Sequence, residues 1–286
     1  MTPQKVTVIL LTYNHVSTIS QSLKSILSQI TTFKFNVMIL DDASDDGTSD
    51  VCQSFQDKYP ELFFHNRHKT NLGPASNLRF GFDRIISPYI AFLEGDDYWT
   101  DDFKLQIMTD KMEQHPDCVI GGHETRLVNK QKSYEKLFNG DKIIDDEVQL
   151  FSGPPAPFRI HPSSRIYKNL DCLRTLPENL LFDTHILRHY LLIGKGLYVN
   201  REMSVFNESG SGFWSGRKRI DRKIMTLNLY YEASRYYKYE QDEYFFNDRR
   251  SLRVLKKLLG KKKGWELYHF FSLRFLLLRK RWMARV

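Results

Sequence analysis

A chain of 286 residues with 41% hydrophobic content can bury a core of ordinary size, so disordered and fibrous classes are excluded. The formal charge of +8 is unevenly placed: residues 249–286 carry 13 Lys/Arg against Glu266 alone, a net +12, which leaves 8 − 12 = −4 for the first 248 residues. The basic character belongs to the tail, and a body built to bind nucleic acid is disfavoured.

Cys52, Cys118 and Cys172 are far apart, odd in number and free of CxxC spacing, which excludes a zinc site or disulfide framework and suits a reducing compartment. The run at 6–11 behind Lys5 is too short for a signal-peptide core. No run reaches the ~18 apolar residues of a spanning helix. The longest candidate, 268–278, is interrupted by Arg274.

In chain order, residues 6–11 (VTVILL) form a continuous apolar, β-branched run that predicts a buried strand. The period then changes: Ile19, Leu23, Ile26 and Leu27 predict a helix, with Asn14 or Ser17 as its cap. Residues 35–40 predict a second strand ending in DDASDDGT, followed by a helix marked by Val51, Phe55 and Tyr59. A third strand at 62–65 leads through HKTNLGPASN to a helix marked by Leu78, Phe82 and Ile85, and 89–93 is the fourth strand. Strands alternating with helices predict an α/β fold with a mostly parallel, doubly wound sheet.

Beyond Lys111 the rhythm breaks. Residues 119–128 predict a strand, 139–162 an extended loop over the site, 164–167 a strand, 180–192 a helix and 197–206 a strand or hairpin. From 217 onward the pattern is helical with a break near 260–264.

The chemistry concentrates in YIAFLEGDDYW, residues 89–99, where an apolar run stops at Glu94, Asp96 and Asp97. Acids just past the C-terminal end of a parallel strand stand where open α/β sheets place their ligands. Their mutual repulsion calls for a positive partner, and hard oxygen ligands suit Mg²⁺ or Mn²⁺. The bland alternative is a helix N-terminus, and both are expected to hold: Asp101 and Asp102 cap, while Asp96 and Asp97 bind.

DDASDDGT has the opening spacing of a calcium loop, but Gln53 stands where the bidentate Glu belongs and a strand precedes it, so that reading is rejected. Acids at a strand end suit nucleotide binding instead, with Asp45, Asp46 and Gly47 left to turn chemistry. No GxGxxG follows the first strand and no GxxxxGK[ST] occurs, which disfavours dinucleotide and P-loop binding. His161, His185 and His189 are assigned no role.

VTVILLTYN, ILDDASDDGT, NLGPASN and FLEGDDYW, in this order and at these separations, resemble the N-terminal half of family 2 glycosyltransferases of GT-A fold. The EGDDYW form is similar to a bacterial subgroup associated with cell-surface polysaccharide or lipopolysaccharide assembly. The resemblance is strong over 5–116, weaker over 163–216 and absent from the tail. It implies a Rossmann-like, mostly parallel sheet flanked by helices in a catalytic domain at 1–216, with a nucleotide-sugar-binding half at 1–116 and an acceptor-binding half at 117–216. Residues 217–286 would be a basic helical extension.

By the same resemblance, Thr12, Tyr13 and Asn14 line the nucleotide pocket, Asp42 with Asp41 beside it contacts the base, and Gly73 and Asn77 complete the pocket. Asp96 lies near the ribose, and Asp97, or the pair Asp96 and Asp97, holds the metal on the diphosphate. Glu94 occupies the first position of the family's DxD pattern. Asp183 matches an acidic position that serves as catalytic base in similar enzymes, with helix capping as its alternative. Where the family usually reads Tyr-Arg-x-His, this chain has Phe206, Asn207, Glu208 and Ser209.

The implied activity is an inverting transfer from a nucleotide-diphosphate sugar, UDP-linked, to a glycan or lipid-linked acceptor, with Mn²⁺ or Mg²⁺ as cofactor. A nucleotidyltransferase on a related sheet is the enzymatic alternative, although LTYNHVST lacks its Gly-rich basic loop. A nucleic-acid-binding protein driven by its tail is the other. The expected location is cytoplasmic, with the basic, aromatic tail at 249–286 either resting on the anionic inner face of the plasma membrane or packing on the body as a C-terminal subdomain with its charges solvated.

Overall fold

The computed structural model describes residues 4–129, 133–140, 148–154, 156–208 and Tyr236. The expected helical extension at 217–286, and with it the membrane-facing segment, lies outside the described residues apart from Tyr236.

The four βα units follow the sequence closely. The strands are β1 (Val6–Thr12), β2 (Phe35–Asp41), β3 (Phe63–Arg67) and β4 (Tyr89–Glu94), and the helices between them are α1 (Ile19–Leu27), α2 (Thr48–Lys58) and α3 (Pro74–Phe82). β1 and β4 are buried on both faces, as continuous apolar runs require. On α1, Ile19, Leu23 and Ile26 stack at helical spacing and are fully buried. Each such side chain contributes roughly 1.5–3 kcal/mol relative to exposure.

After β4 come β5 (Tyr98–Trp99), α4 (Lys104–Gln114), β6 (Cys118–Asn129), β7 (Tyr134–Leu137), β8 (Val148–Ser152), β9 (Ile166–Lys168), the short α5 (Cys172–Thr175), α6 (Asp183–Ile193) and β10 (Lys195–Asn207). The strand order is β3-β2-β1-β4-β9-β6-β10-β5, with β7 pairing β6 and β8 pairing β10. β1 pairs in parallel with β2 and β4, β2 with β3, and β6 with β10, whereas β9 runs antiparallel between β4 and β6. The chain turns back on itself between β1 and β4, so the crevice at their C-terminal ends is the switch point where ligands bind in such sheets. Thr12 ends one strand, and Glu94, paired with Leu11, ends the other.

Three local expectations are corrected. Neither Asn14 nor Ser17 caps α1: its N-cap is Thr18, and Asn14 is instead left-handed at φ 55°. Asp101 and Asp102 do not cap α4, whose N-cap is Phe103. Asp101 accepts the Phe103 N–H one turn early and pairs with Arg201 at 2.6 Å. The expected loop at 139–162 contains β8, which extends the sheet because residues 195–199 of β10 offer it a free edge.

β10 slips register against β6 between Val199 and Glu202 and again between Glu202 and Ser204. Such bulges bend a strand and re-aim its end. Here the bent end pairs Ser204 and Val205 with β5 and delivers Asn207 to the β4–β5 turn. Among the described residues, no helix is long and apolar enough to cross a membrane.

Candidate active site

The β1–α1 and β2–α2 loops are laced together. The Asn14 N–H donates to Ser44 Oγ at 3.0 Å, and Asn14 Oδ1 accepts the Asp45 N–H at 3.0 Å. Asp46 accepts from Val16 N, Thr48 N and Thr48 Oγ1, which is the turn chemistry expected of it. Thr12 is buried, while Tyr13 is 45% exposed at the mouth.

Asp41 is fully buried and accepts from Ser44 N at 2.9 Å and from the Ser49 hydroxyl, with His65 Nε2 at 3.4 Å. Burial alone would raise its carboxyl, but hydrogen bonds from His65, Ser44 and Ser49 outweigh that and hold it at about 2. Asp42 accepts from Leu72 N at 2.7 Å on one oxygen and from Gly73 N at 2.9 Å on the other, and so anchors the loop that precedes α3. Gly73 adopts φ 82°, a left-handed conformation that a side chain would strain. Asn77 donates to Leu40 O and accepts from His68 Nε2. A concavity of about 400 Å³ beside these loops is lined by Ser44, Ser49, His65 and Arg67 among others. The acids after β4 do not line it.

Those acids form a different kind of site. Gly95 lets the turn lie against β1, because a Cβ there would meet His15 Nδ1 at 2.6 Å and Thr12 Oγ1 at 2.7 Å. The turn is held by the Gly95 N–H to Leu11 O and by Thr18 Oγ1 donating to Gly95 O. Asp96 points its carboxylate toward His15 Nε2 at 4.0 Å. Asp97 is fully buried, with Oδ1 accepting the Asn207 N–H at 3.1 Å, while Oδ2 has no hydrogen-bond partner among the described residues. Burial, then Asp96 and Glu94, push its carboxyl well above the ordinary range. Burial, then Asp96 and Asp183, push the Glu94 carboxyl up to about 8, and Arg165 opposes them.

His161 Nδ1 lies 3.6 Å from the orphaned Asp97 Oδ2. Burial, then Arg165 and Arg159, keep this imidazole well below its usual value and therefore neutral. Its Nδ1 accepts the Ser163 N–H at the start of a 3₁₀ turn and lies 2.7 Å from Ser163 Oγ. The buried Asp97 oxygen, without a donor among the described residues, can be answered by the carboxyl's own proton or by a bound cation. Glu94, Asp97 and His161 each offer a ligand atom within 4.8 Å of the others. Carboxylate oxygens and a neutral imidazole suit Mn²⁺ or Mg²⁺, so the residues present fit a divalent ion. Asp96 flanks this trio through His15 instead of joining it.

Asp183 opens α6, and its side chain is 52% exposed. Its charge helps to raise the Glu94 carboxyl. Arg165, 3% exposed, donates to the Asp183 carbonyl at 2.6 Å and sits 3.5 Å from its carboxylate.

His161, Arg165 and Asn207 are the site residues that sequence reasoning missed. His161 stands 161 − 97 = 64 residues beyond Asp97 in a segment without periodicity, and no spacing linked the two. The other two histidines left without a role, His185 and His189, lie on α6.

The model of the family described as "Glycosyl transferase family 2" matches residues 7–171. An uncharacterized protein of Mycobacterium bovis is 25% identical over 223 residues, 76% of this chain and 62% of the relative. This chain thus spans about six-tenths of that relative's length. An uncharacterized glycosyltransferase of Rickettsia conorii is 33% identical over 157 residues, 54% of this chain and 23% of the relative. Among solved structures, TarS 1–349 of S. aureus in complex with UDP-GlcNAc superposes with a TM-score of 0.60 at 17% identity, covering 81% of this chain and 67% of that one. The mannosyltransferase PcManGT of Pyrobaculum calidifontis, in complex with GDP-Man and Mn²⁺, does so with a TM-score of 0.60 at 15% identity, covering 95% and 80%. These likenesses establish the GT-A fold, and with a family match over more than half its length this chain belongs to glycosyl transferase family 2.

Proposed function

We propose that this glycosyltransferase moves a sugar from a UDP-linked donor to a glycan or lipid-linked acceptor, with inversion, as in bacterial surface polysaccharide or lipopolysaccharide synthesis. The observation that carries the reading is the buried Asp97 oxygen, without a hydrogen-bond partner among the described residues, clustered with ligand atoms of Glu94 and His161 within 4.8 Å at the C-terminal end of the strand where a diphosphate would lie. Asp97, Glu94 and His161 would hold a divalent cation, with Asp96 next to them on the ribose side. Bound there, the ion supplies neutralising charge for the departing diphosphate.

The chain's own groups do the rest. Tyr13 and the loops fixed by Asp41, Asp42, Gly73 and Asn77 shape the base pocket, and Thr12 and Asn14 hold its wall. Asp183, exposed at the start of α6, accepts the proton of the acceptor hydroxyl as that oxygen attacks the anomeric carbon. The UDP-GlcNAc and GDP-Man partners of the structural neighbours support a nucleotide-sugar donor and leave the hexosyl or N-acetylhexosaminyl group open.

We also propose a donor half at 1–116, an acceptor half at 117–216, and a basic extension that rests on an anionic membrane face. The last rests on its charge, 13 Lys/Arg against one Glu over 249–286.

The test is thermal shift with UDP-, GDP- and other nucleotide sugars, with Mn²⁺ or with EDTA. A UDP-sugar should raise Tm in Mn²⁺ and not in EDTA, by mass action. Asp97→Asn should remove that shift, and a shift of equal size in EDTA would overturn the metal assignment.

A further inference from the structure

Arg165 is a buried cation that the reaction outlined above leaves without a task, and its surroundings are unusually complete. Nε and Nη2 both donate to the Ile160 carbonyl at 3.2 and 2.7 Å. Nη1 donates to the Tyr167 hydroxyl at 3.1 Å and to the Asp183 carbonyl at 2.6 Å, and Nη2 lies 3.5 Å from Asp183 Oδ2. Four of the five N–H groups of the fork therefore donate hydrogen bonds, and the fifth lies on the side of the Asp183 ion pair. Burying a charge is costly unless its hydrogen bonds are met, and an apolar residue would fill such a place more cheaply. A guanidinium kept here invites the question of what it joins.

It joins the two sides of the site. Ile160 immediately precedes His161, the candidate metal ligand, and is itself fixed from behind. A Cβ on Gly122 would meet Ile160 Cγ2 at 2.2 Å, so the strand can accept Ile160 only at a glycine. Asp183 carries the candidate base on a different element, at the first position of α6. Arg165 lies at the entry to β9, whose Ile166 and Tyr167 pair with both β4 and β6. The central sheet thus supports the guanidinium, and the guanidinium aims Asp183 and holds the His161 segment in the same frame.

From this geometry we infer that Arg165 is a positioning residue for sugar transfer, locking the half-exposed Asp183 carboxylate against the segment that carries His161. The inference rests on the reading of Asp183 as the base. Lysine could keep the charge but not the fork, since its three donors radiate from one nitrogen and cannot span carbonyl, hydroxyl and carboxylate at once.

The experiment measures kcat and donor KM of the full chain for wild type, Arg165→Lys, Tyr167→Phe, Asp183→Asn and the two double variants with Asp183→Asn. Arg165→Lys should lower kcat by about 10–100-fold, as loss of an outer-shell partner does. Donor KM should stay within about twofold, because the residue acts on the chemical step and not on donor binding. In the Asp183→Asn background the same change should lower kcat by less than about twofold, since residues that act as a unit are not additive.

An equal loss in both backgrounds, or a loss carried in donor KM, overturns the inference while leaving the base reading intact. Wild-type turnover by Asp183→Asn overturns the base reading, and the inference falls with it. Should Arg165→Lys fail to fold, Tyr167→Phe decides alone, because it keeps the ring contacts with Phe92 and Tyr190 and removes one acceptor. A lower kcat that disappears beside Asp183→Asn supports the inference, and an unchanged kcat overturns it.

Discussion

Two acidic turns at neighbouring strand ends look alike in the sequence and differ in what they are given to bind. In the turn after β2, every described carboxylate contact is answered within the chain: Asp41, Asp42 and Asp46 accept from backbone N–H groups and hydroxyls, and Asp41 is held at about 2. In the turn after β4, Asp97 keeps an unpartnered oxygen and Glu94 is pushed up to about 8. The contrast teaches that a carboxylate's task is set by the donors folded around it. Satisfied acids stay ionised and fix their loops, and an acid left unsatisfied in a dry place is held with its proton.

The largest effect should come from exchanging one acid on each side. Asp97→Asn should reduce transfer below detection while leaving Tm of the metal-free protein nearly unchanged, because burial already holds the Asp97 carboxyl in its neutral form and the amide is neutral too. Asp41→Asn should do the reverse, costing about 1–3 kcal/mol of stability by leaving buried donors unmatched. Urea unfolding of both variants, with transfer assayed on the folded protein, checks the pair. A large Tm loss in the first or none in the second breaks the contrast.

The two turns should also answer pH in opposite directions. Glu94 is held at about 8 in the fold against an ordinary 4.5, so between these values the folded state keeps a proton that the unfolded chain has released. The contribution of Glu94 to the stability of the metal-free protein therefore falls as pH rises from 4.5 to 8. Mn²⁺ should lessen that fall, because binding drives the protons off. Asp41, held at about 2 against 3.8, contributes stability that is present above 3.8 and lost as pH falls toward 2. Tm measured from pH 3 to 9, with EDTA and with Mn²⁺, should show both limbs. The same scan on Glu94→Gln isolates the group, and a wild-type-minus-variant difference that does not fall between pH 4.5 and 8 would remove the case for a proton on Glu94.

The smallest effect belongs to the exposed member of the first turn. Asp46→Ala should cost about 1 kcal/mol, the usual scale for losing a side chain that caps the first turn of a helix, here through Thr48. Donor KM should change little, and a marked rise would move Asp46 from turn-builder to ligand.

The parallel half of the sheet was legible because its strands are buried on both faces, so VTVILL, FNVMIL and YIAFL announce themselves as apolar runs. The acids ending β4 were legible for the same reason, standing where such a run stops. What escaped were features made by distant pairing. The 139–162 segment offers no apolar period, and β8 forms within it only because β10 presents an edge. His161 gains its significance from Asp97, and Arg165 from Ile160 and Asp183, none of them near in sequence. The α1 and α4 caps failed because the Asn14 side chain accepts the Asp45 N–H of the neighbouring loop and Asp101 pairs with Arg201 of β10.

The bent end of β10 has a consequence for how the molecule comes into being. The hydrogen bond from the Asn207 N–H to Asp97 spans 110 positions, whereas β1 and β2 meet after a single helix. Pairings between neighbouring units close short loops and form early, and those between distant segments close late. During synthesis the nucleotide side can thus assemble while β10 is still unmade, and the acidic turn stays wet and ionised until residue 207 has emerged. The last strand to join dries the acids and raises their proton affinity. Competence to hold the cation should therefore arrive in a single late step of folding, read as the appearance of Mn²⁺-dependent protection only after the sheet itself has formed.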